Sequence, residues 1–187
     1  MPARVLLLVV CCSALFPAAS YAKDFQEIEW VDLIPAEDLD ALMNPPDYIM
    51  EIEDGSLEDQ PPGAGAPGSL EGAPVDRYQQ ALQSTTVIKA FDGKRVRIPG
   101  FVVPLTFDDT RLVNEFFIVP YFGACLHSPP PPPNQIIYGK SATGVSAENI
   151  YEPFWFTGTL SVGLEKTEMG TAAYRMVVDG IEAYVEE

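Results

Sequence analysis

Five consecutive prolines at 129–133 constrain the fold of this chain more than any other feature of its sequence. Proline has a fixed φ and lacks a backbone N–H, so this run predicts a polyproline II rod of about 15 Å that is excluded from helices and inner strands. The rod follows Cys125 and His127, and His127 is the single histidine of the chain. The sequence therefore places a thiol and an imidazole in a stiff segment.

The first 22 residues have the pattern of a secretory signal peptide. A basic residue, Arg4, precedes an apolar stretch that ends in a small-x-small cleavage site at Ser20–Ala22. That stretch is shorter than the ~20 residues needed to cross a bilayer, so we expect cleavage and no membrane span afterwards. The mature chain would begin at Lys23 and keep Cys125 as its single thiol, which cannot form an internal disulfide.

The chain is strongly acidic, and its charge is unevenly distributed. Its formal net charge is −16, and removal of residues 1–22 with their single arginine makes it −17. Nucleic acid is therefore an unfavourable partner, because phosphates require Lys and Arg. We expect residues 23–50 to form an acidic N-terminal arm with a short helix and its acids in solvent. Residues 51–75, rich in Gly, Pro and acids, predict a disordered linker.

Residues 76–187 predict a β-barrel domain that begins with a short helix, DRYQQAL, with Asp76 as its N-cap. Asp92-Gly93 predicts a type I′ hairpin between two β-rich runs. Five to six short strands follow, at VIKAF-DG-KRVRIPGFVVPL, 112–122, 135–139, 154–162 and 172–185, the last interrupted at Asp179-Gly180. Because no strong helical period separates them, the pattern favours a mostly β fold. We expect a small antiparallel, OB-like barrel, with a β-sandwich as the alternative.

Three blocks of the sequence carry a resemblance to a known family. Together with Trp30 and the DLIP that follows it, they resemble the secreted bacterial family called domain of unknown function 3299. The blocks are RIPGFVVPL (97–105), FFIVPYFGACLHSPPPPPNQIIY (116–138) and FWFTGTL (154–160). The resemblance implies a periplasmic or exported protein of Gram-negative bacteria, a mostly β fold and frequent association with transport systems that handle metals. No enzyme activity comes with the family. This chain has Ser128 where members of the family commonly have a bulky aliphatic residue.

Cys125 and His127 are the candidate metal ligands. On a strand their i, i+2 spacing would direct both side chains to one face. A thiolate and an imidazole suit Zn²⁺ or copper, although zinc normally takes four ligands. Further ligands could come from carboxylates, and the candidates are Asp108, Asp109, Glu115 and Glu152. The alternatives are that the pair is core packing, or that His127 activates the thiol for chemistry.

Four more residues are candidate binding residues. Asn134 and Gln135 end the proline rod with two amides, which either satisfy nearby backbone groups or bind a ligand. Tyr121 and Trp155 are aromatic residues against which the rod could lie. The alternative is that the rod is offered to an aromatic groove on a partner.

The sequence favours a periplasmic binding or accessory protein of an envelope transport or metal-homeostasis system over an enzyme. Its expected partner is an envelope protein such as a transporter component, and its only candidate cofactors are Zn²⁺ and copper. A Cys–His thiol enzyme and a protein-interaction adaptor that uses Pro129–Pro133 are the competing interpretations.

Overall fold

The computed structural model describes residues 25–50, 76–106, 111–122 and 130–185. The predicted signal peptide, the predicted linker at 51–75, and Cys125 and His127 lie outside these residues. In the described part of the chain, no helix is long and apolar enough to span a membrane.

Short helices and one very short strand precede the barrel. The strand β1, Gln26–Glu27, is followed by helices α1, Ala36–Met43, and α2, Asp47–Met50, and α3 is Arg77–Leu82. Two 3₁₀ turns cover Trp30–Leu33 and Lys89–Phe91. The predicted N-cap is confirmed, because the Asp76 side chain accepts a hydrogen bond from the backbone N–H of Gln79 at 2.8 Å.

Five long strands close into a barrel. They are β2, Arg95–Thr106; β3, Leu112–Val119; β4, Ile137–Ser146; β5, Phe154–Lys166; and β6, Thr171–Ala183. Their order is β2-β3-β4-β6-β5, and β5 pairs back onto β2. Neighbouring strands are antiparallel except β4 and β6, which are parallel. This topology confirms the predicted OB-like barrel and makes its sheet mixed rather than purely antiparallel.

The hairpin predicted at Asp92-Gly93 is wrong. Asp92 is extended (φ −62°, ψ 123°), and Gly93 has a φ of +72°, which are the values of a type II turn. The N–H of Lys94 closes the turn onto the carbonyl of Phe91 at 3.1 Å. The turn therefore joins a 3₁₀ turn to β2 rather than one strand to another.

The interruption predicted at Asp179-Gly180 is also wrong, because β6 continues through both residues. Thr157 of β5 is opposite Gly180 and Gly158 is opposite Val178, so Asp179 is one extra residue on β6. A β-bulge accommodates such a residue by bending the strand instead of ending it.

The N-terminal arm contributes to the barrel core. Ile28 and Leu33 are 2% and 0% exposed and pack with the inward side chains of the strands. Leu33 also presents its carbonyl to the hydroxyl of Tyr174 on β6 at 2.9 Å. The expectation that the acids of this arm are all solvated is wrong at Asp38, which is 3% exposed.

Tyr48 and Asp76, the described residues on either side of segment 51–75, lie next to each other. The Tyr48 hydroxyl donates to the Asp76 carboxylate. Burial of the phenol, reinforced by this hydrogen bond, raises the pKa of Tyr48 to about 12. On the same side of the molecule, Arg77 at the start of α3 pairs with Asp38 on α1. The helices on either side of the segment are thus held to each other.

Candidate functional site

The candidate site is the connection between β3 and β4. The two strands pair directly, with Ile118 opposite Ile137, yet residues 120–136 separate them. Connections of more than about 12–15 residues are uncommon in compact domains and are usually functional or disordered. Cys125, His127 and Pro129 belong to the part of this connection that lies outside the described residues. The predicted metal role of Cys125 and His127 therefore stays a prediction.

The described start of the connection carries exposed aromatic rings. Phe122 packs against Phe101 of β2, with ring centroids 6.0 Å apart, and against Tyr151 of the β4–β5 connection at 5.8 Å. Despite these contacts, Phe122 is 56% exposed and Tyr151 is 65% exposed, and the adjacent Tyr121 is 38% exposed. We call Tyr121, Phe122 and Tyr151 the aromatic patch. It fixes this end of the connection to the barrel and leaves ring surface accessible.

The described end of the connection is buried. Pro131 and Pro132 are buried, and Pro132 has polyproline II angles (φ −60°, ψ 154°). The expected rod does not extend to Pro133, which begins a 3₁₀ turn at Pro133–Gln135. Burial of Pro131 and Pro132 supports the interpretation that the rod packs on its own domain.

Asn134 is fully buried, and its amide links three parts of the chain. Its Nδ2 donates to the Asp38 carboxylate on α1 and to the carbonyl of Thr86, both at 3.0 Å. Its backbone N–H donates to the carbonyl of Ser84 at 3.2 Å. Its Oδ1 has no hydrogen-bond partner among the residues that the structure describes.

Gln135 makes the second link to the N-terminal arm. Its Nε2 donates to the carbonyl of Trp30 at 2.9 Å, and the indole N–H of Trp30 donates to the carbonyl of Pro99 on β2 at 2.7 Å. We call the Asn134 and Gln135 side chains with their bonds to Asp38, Thr86 and Trp30 the amide anchor. The ligand-binding role predicted for the two amides stays a prediction, and both already have structural partners.

Trp155 lies on a different wall of the barrel. Its indole ring packs on the Arg97 guanidinium at 4.0 Å and on the ring of Tyr184 at 5.4 Å. The carboxylates of Glu27 and Glu182 pair with Arg97 at 3.0 and 3.3 Å. The structure thus brings Asn134 and Gln135 together in the amide anchor and places Tyr121 at the opposite end of the same connection. Trp155 is in neither place, because its ring packs on Arg97 and Tyr184.

The four candidate carboxylates differ in their availability to a metal. Asp108 and Asp109 are outside the described residues. Glu115 is engaged by Lys140 at 2.8 Å and by the Tyr138 hydroxyl at 3.0 Å, and these two hydrogen bonds lower the pKa of Glu115. Glu152 is exposed and directly follows Tyr151 of the aromatic patch. Among the described residues, no group of three or more His, Cys, Asp and Glu side chains could hold a metal ion.

Sequence reasoning missed Asp38 and its partner Arg77. The sequence did contain a signal: Ile34, Asp38 and Ala41 are spaced as one face of a helix, and all three are buried. Leu39 and Leu42 of the same helix instead indicate an apolar face on their own side, and that pattern places Asp38 in solvent.

The chain is similar to one family model and to a solved structure of the same family. A family model described as "Protein of unknown function (DUF3299)" matches residues 30–183. The crystal structure of a DUF3299 family protein from Pseudomonas aeruginosa PAO1, at 2.45 Å resolution, is 37% identical in sequence. The alignment covers 87% of this chain and 98% of that one, with a TM-score of 0.61. No curated protein matches this sequence significantly.

Proposed function

We propose that this chain, which belongs to the DUF3299 family of proteins of unknown function, is a non-catalytic binding or accessory protein of the bacterial envelope. It would act in the periplasm beside a transport or metal-homeostasis system. The Cys125–His127 segment would be its ligand-binding element.

One observation carries this proposal: the long β3–β4 connection is fastened to the barrel at both described ends. Phe122 is held between Phe101 and Tyr151, and the far end is held by the amide anchor. A segment tethered at two fixed points loses less conformational entropy when it binds a ligand. The sequence places its one histidine and the one thiol expected to survive signal cleavage between those two points.

The donor chemistry favours a soft or borderline metal ion. A thiolate and an imidazole suit Cu(I) or Zn²⁺, whereas calcium and magnesium prefer oxygen ligands. Zinc would need two further ligands, and Glu152 is the described candidate on the side of the aromatic patch. Copper(I) needs fewer ligands and would be held by Cys125 and His127 alone.

The first test is the metal content of protein purified from its native envelope fraction. Titration calorimetry on the mature chain then assigns the ligands. Wild type should give a one-site isotherm for Zn²⁺ or Cu(I), and Cys125→Ser and His127→Ala should each weaken it by at least about 1.4 kcal/mol, a tenfold change. If both variants bind metal like wild type but melt at a lower temperature, the pair is core packing and the proposal fails.

A matched pair of glutamates tests the third ligand. Glu148 and Glu152 are both exposed in the β4–β5 connection, and only Glu152 adjoins the aromatic patch. With Zn²⁺, Glu152→Gln should weaken binding and Glu148→Gln should not. Equal affinities for the two variants would remove Glu152 from the site.

The enzyme alternative makes a different prediction. A thiol activated by His127 reacts rapidly and selectively with iodoacetamide, because the thiolate is the nucleophile. Rapid alkylation that His127→Ala slows, without stoichiometric metal binding, would favour the thiol enzyme over the binding protein.

A further inference from the structure

Two rings of the aromatic patch are accessible side by side. Phe122 is 56% exposed and Tyr151 is 65% exposed, although the rings contact each other. Both residues belong to the described part of the chain, and they come from different connections, β3–β4 and β4–β5. A single exposed apolar side chain needs no explanation, whereas contiguous ones often mark an interaction surface. The patch is therefore a candidate contact surface built without Cys125 and His127.

A hydrogen-bonded turn presents the Tyr151 ring. The N–H of Asn149 donates to the carbonyl of Ser146, and the N–H of Glu152 donates to the carbonyl of Asn149, both at 3.0 Å. Between these two bonds, Ile150 is partly buried and packs against the barrel core. One residue thus anchors the turn while the next exposes its ring. A ring on such a turn has less freedom to lose when it contacts a partner.

The rings of the patch are inclined to each other rather than stacked. The plane of the Phe122 ring makes an angle of 56° with that of Phe101 and of 68° with that of Tyr151. An inclined pair covers at most one face of each ring, so much of the ring surface stays available. The face of an aromatic ring is the negative part of its quadrupole and attracts cations. The geometry therefore suits an ammonium or guanidinium group.

The charges beside the patch favour the same kind of occupant. Residues 147–153 include Glu148 and Glu152, both exposed, and no Lys or Arg. Arg111, just before β3, meets this connection through its carbonyl, which accepts from the N–H of Ala147 at 3.0 Å. A second copy of the chain would bring its own glutamates to the patch, and an anionic membrane surface would repel the net charge of −16. A basic segment is attracted by both the rings and the carboxylates.

We propose that the aromatic patch docks a basic segment of a protein partner. An Arg or Lys side chain of the segment lies on the exposed faces of Phe122 and Tyr151, and Glu148 and Glu152 pair with its neighbouring cations. This surface consists of described residues and needs no metal, so the inference goes beyond the proposed function. It gives the expected envelope partner a chemical character, namely a segment with exposed arginines or lysines.

A short synthetic peptide, acetyl-Gly-Arg-Gly-Arg-Gly-amide, is the probe. It is titrated into the mature chain in EDTA at physiological ionic strength, and amide chemical shifts report the affinity and the place of binding. Tyr151→Leu should weaken binding about three- to fivefold, because leucine keeps an apolar surface and removes the ring face. Tyr151→Phe should match wild type. Leu164→Ala, at an exposed apolar position of β5, is the control and should also match.

Melting temperatures verify that the variants fold, and the exposure of Tyr151 makes its substitution mild. Phe122→Leu combined with Tyr151→Leu should weaken binding further, and the same peptide with glutamate in place of arginine should not bind. The proposal is overturned if Tyr151→Leu binds the arginine peptide like wild type, or if Leu164→Ala weakens binding equally.

Other occupants of the patch would give different results. If the leucine variants abolish self-association of the chain, or its binding to phosphatidylcholine vesicles, and leave the peptide affinity unchanged, the basic partner is overturned. Because EDTA removes free metal, the two proposals fail separately. Metal binding without peptide binding would overturn the docking surface alone, and ring-dependent peptide binding in a chain that binds no Zn²⁺ or Cu(I) would overturn the metal site alone.

Discussion

Asp38 is a carboxylate whose burial is compensated by two partners. Asn134 donates to one of its oxygens at 3.0 Å, and Arg77 pairs with the other. Arg77 remains 44% exposed, so water screens the ion pair, and the bond to Asn134 is the better protected of the two. The interior position of Asp38 therefore depends on a neutral amide as well as on a charge.

Asp38→Asn should lower the free energy of unfolding by about 1–3 kcal/mol, because the buried hydrogen bonds lose their charged acceptor. Urea denaturation at neutral pH measures the change. Asp40→Asn, at an exposed position of the same helix, is the control and should stay within about 0.5 kcal/mol of wild type. Equal effects of the two substitutions would contradict the structural role of Asp38.

The contribution of Glu115 to the stability of the fold depends on pH. The hydrogen bond from Lys140, and then that from Tyr138, lower the pKa of Glu115 from its ordinary 4.5. A carboxyl whose pKa is lower in the folded state stabilises the fold above its unfolded pKa, and that contribution is lost as the pH falls through the folded value.

Glu115→Gln should therefore be less stable than wild type at pH 7, and the difference should shrink at pH values below 4.5. The effect is small because the Glu115 and Lys140 side chains are 38% and 57% exposed. Chemical denaturation across this pH range follows it, with Glu148→Gln as an exposed control. A difference that grows as the pH falls would show that Glu115 does not act through its charge.

At the scale of elements, β5 and β6 approach each other closely at Gly158. A Cβ placed on Gly158 would lie 2.2 Å from the carbonyl oxygen of Val177, which is backbone and cannot rotate away. The close approach occurs next to the register shift at Asp179. Glycine is required at this position because of the bulge on the facing strand.

Gly158→Ala should destabilise the barrel by about 1–3 kcal/mol, the usual cost of overpacking. Gly180→Ala is the matched control on the facing strand, because its added Cβ would lie 3.7 Å from the nearest atom, Thr157 Cβ. Thermal unfolding followed by circular dichroism compares them. The explanation fails if Gly180→Ala costs as much as Gly158→Ala.

The elements were largely predictable from the sequence where burial alternates along a strand. In β2, Val96, Ile98 and Val102 are buried and their neighbours are not, which is the period of two that identified the strand. The hairpin predicted at Asp92-Gly93 is wrong because the pair fits a type II turn as well as a type I′ turn. The parallel pairing of β4 with β6 was not predictable, since it depends on strand order rather than on local sequence.

The site was less predictable than the fold. Tyr121, Asn134 and Gln135 were identified from their nearness to the proline run, and all three belong to the β3–β4 connection. Asn134 bonds to Asp38, which is 96 residues away, and a single sequence carries no signature of such a pairing. The sequence indicates Trp155 as an aromatic partner for the rod, whereas in the structure Trp155 packs on Arg97 and Tyr184.

At the scale of the whole molecule, the arm and the barrel should stay together when the chain is cut between them. Segment 51–75 contains several glutamates and no lysine or arginine, so Glu-C can cleave it and trypsin cannot. The two products would still share the Asp38–Arg77 pair, the amide anchor and the core contacts of Leu33.

Glu-C cleavage should therefore give two bands on a denaturing gel and one peak on size-exclusion chromatography. The peak should divide only in denaturant. A folded fragment from about residue 76 onward that elutes without the arm would contradict this prediction. It would also show that the arm adds little to the stability of the barrel.

The hydrogen bond between Tyr48 and Asp76 has a consequence for protein engineering. It joins the described residues on either side of segment 51–75, so a longer segment would hardly affect the geometry of the described residues. Doubling the length of a flexible loop costs only about 0.6 kcal/mol in closure entropy. This segment is accordingly the place to insert a fluorescent protein or an affinity tag, because the reporter would be tethered at both ends while the barrel and its β3–β4 connection keep their native sequence.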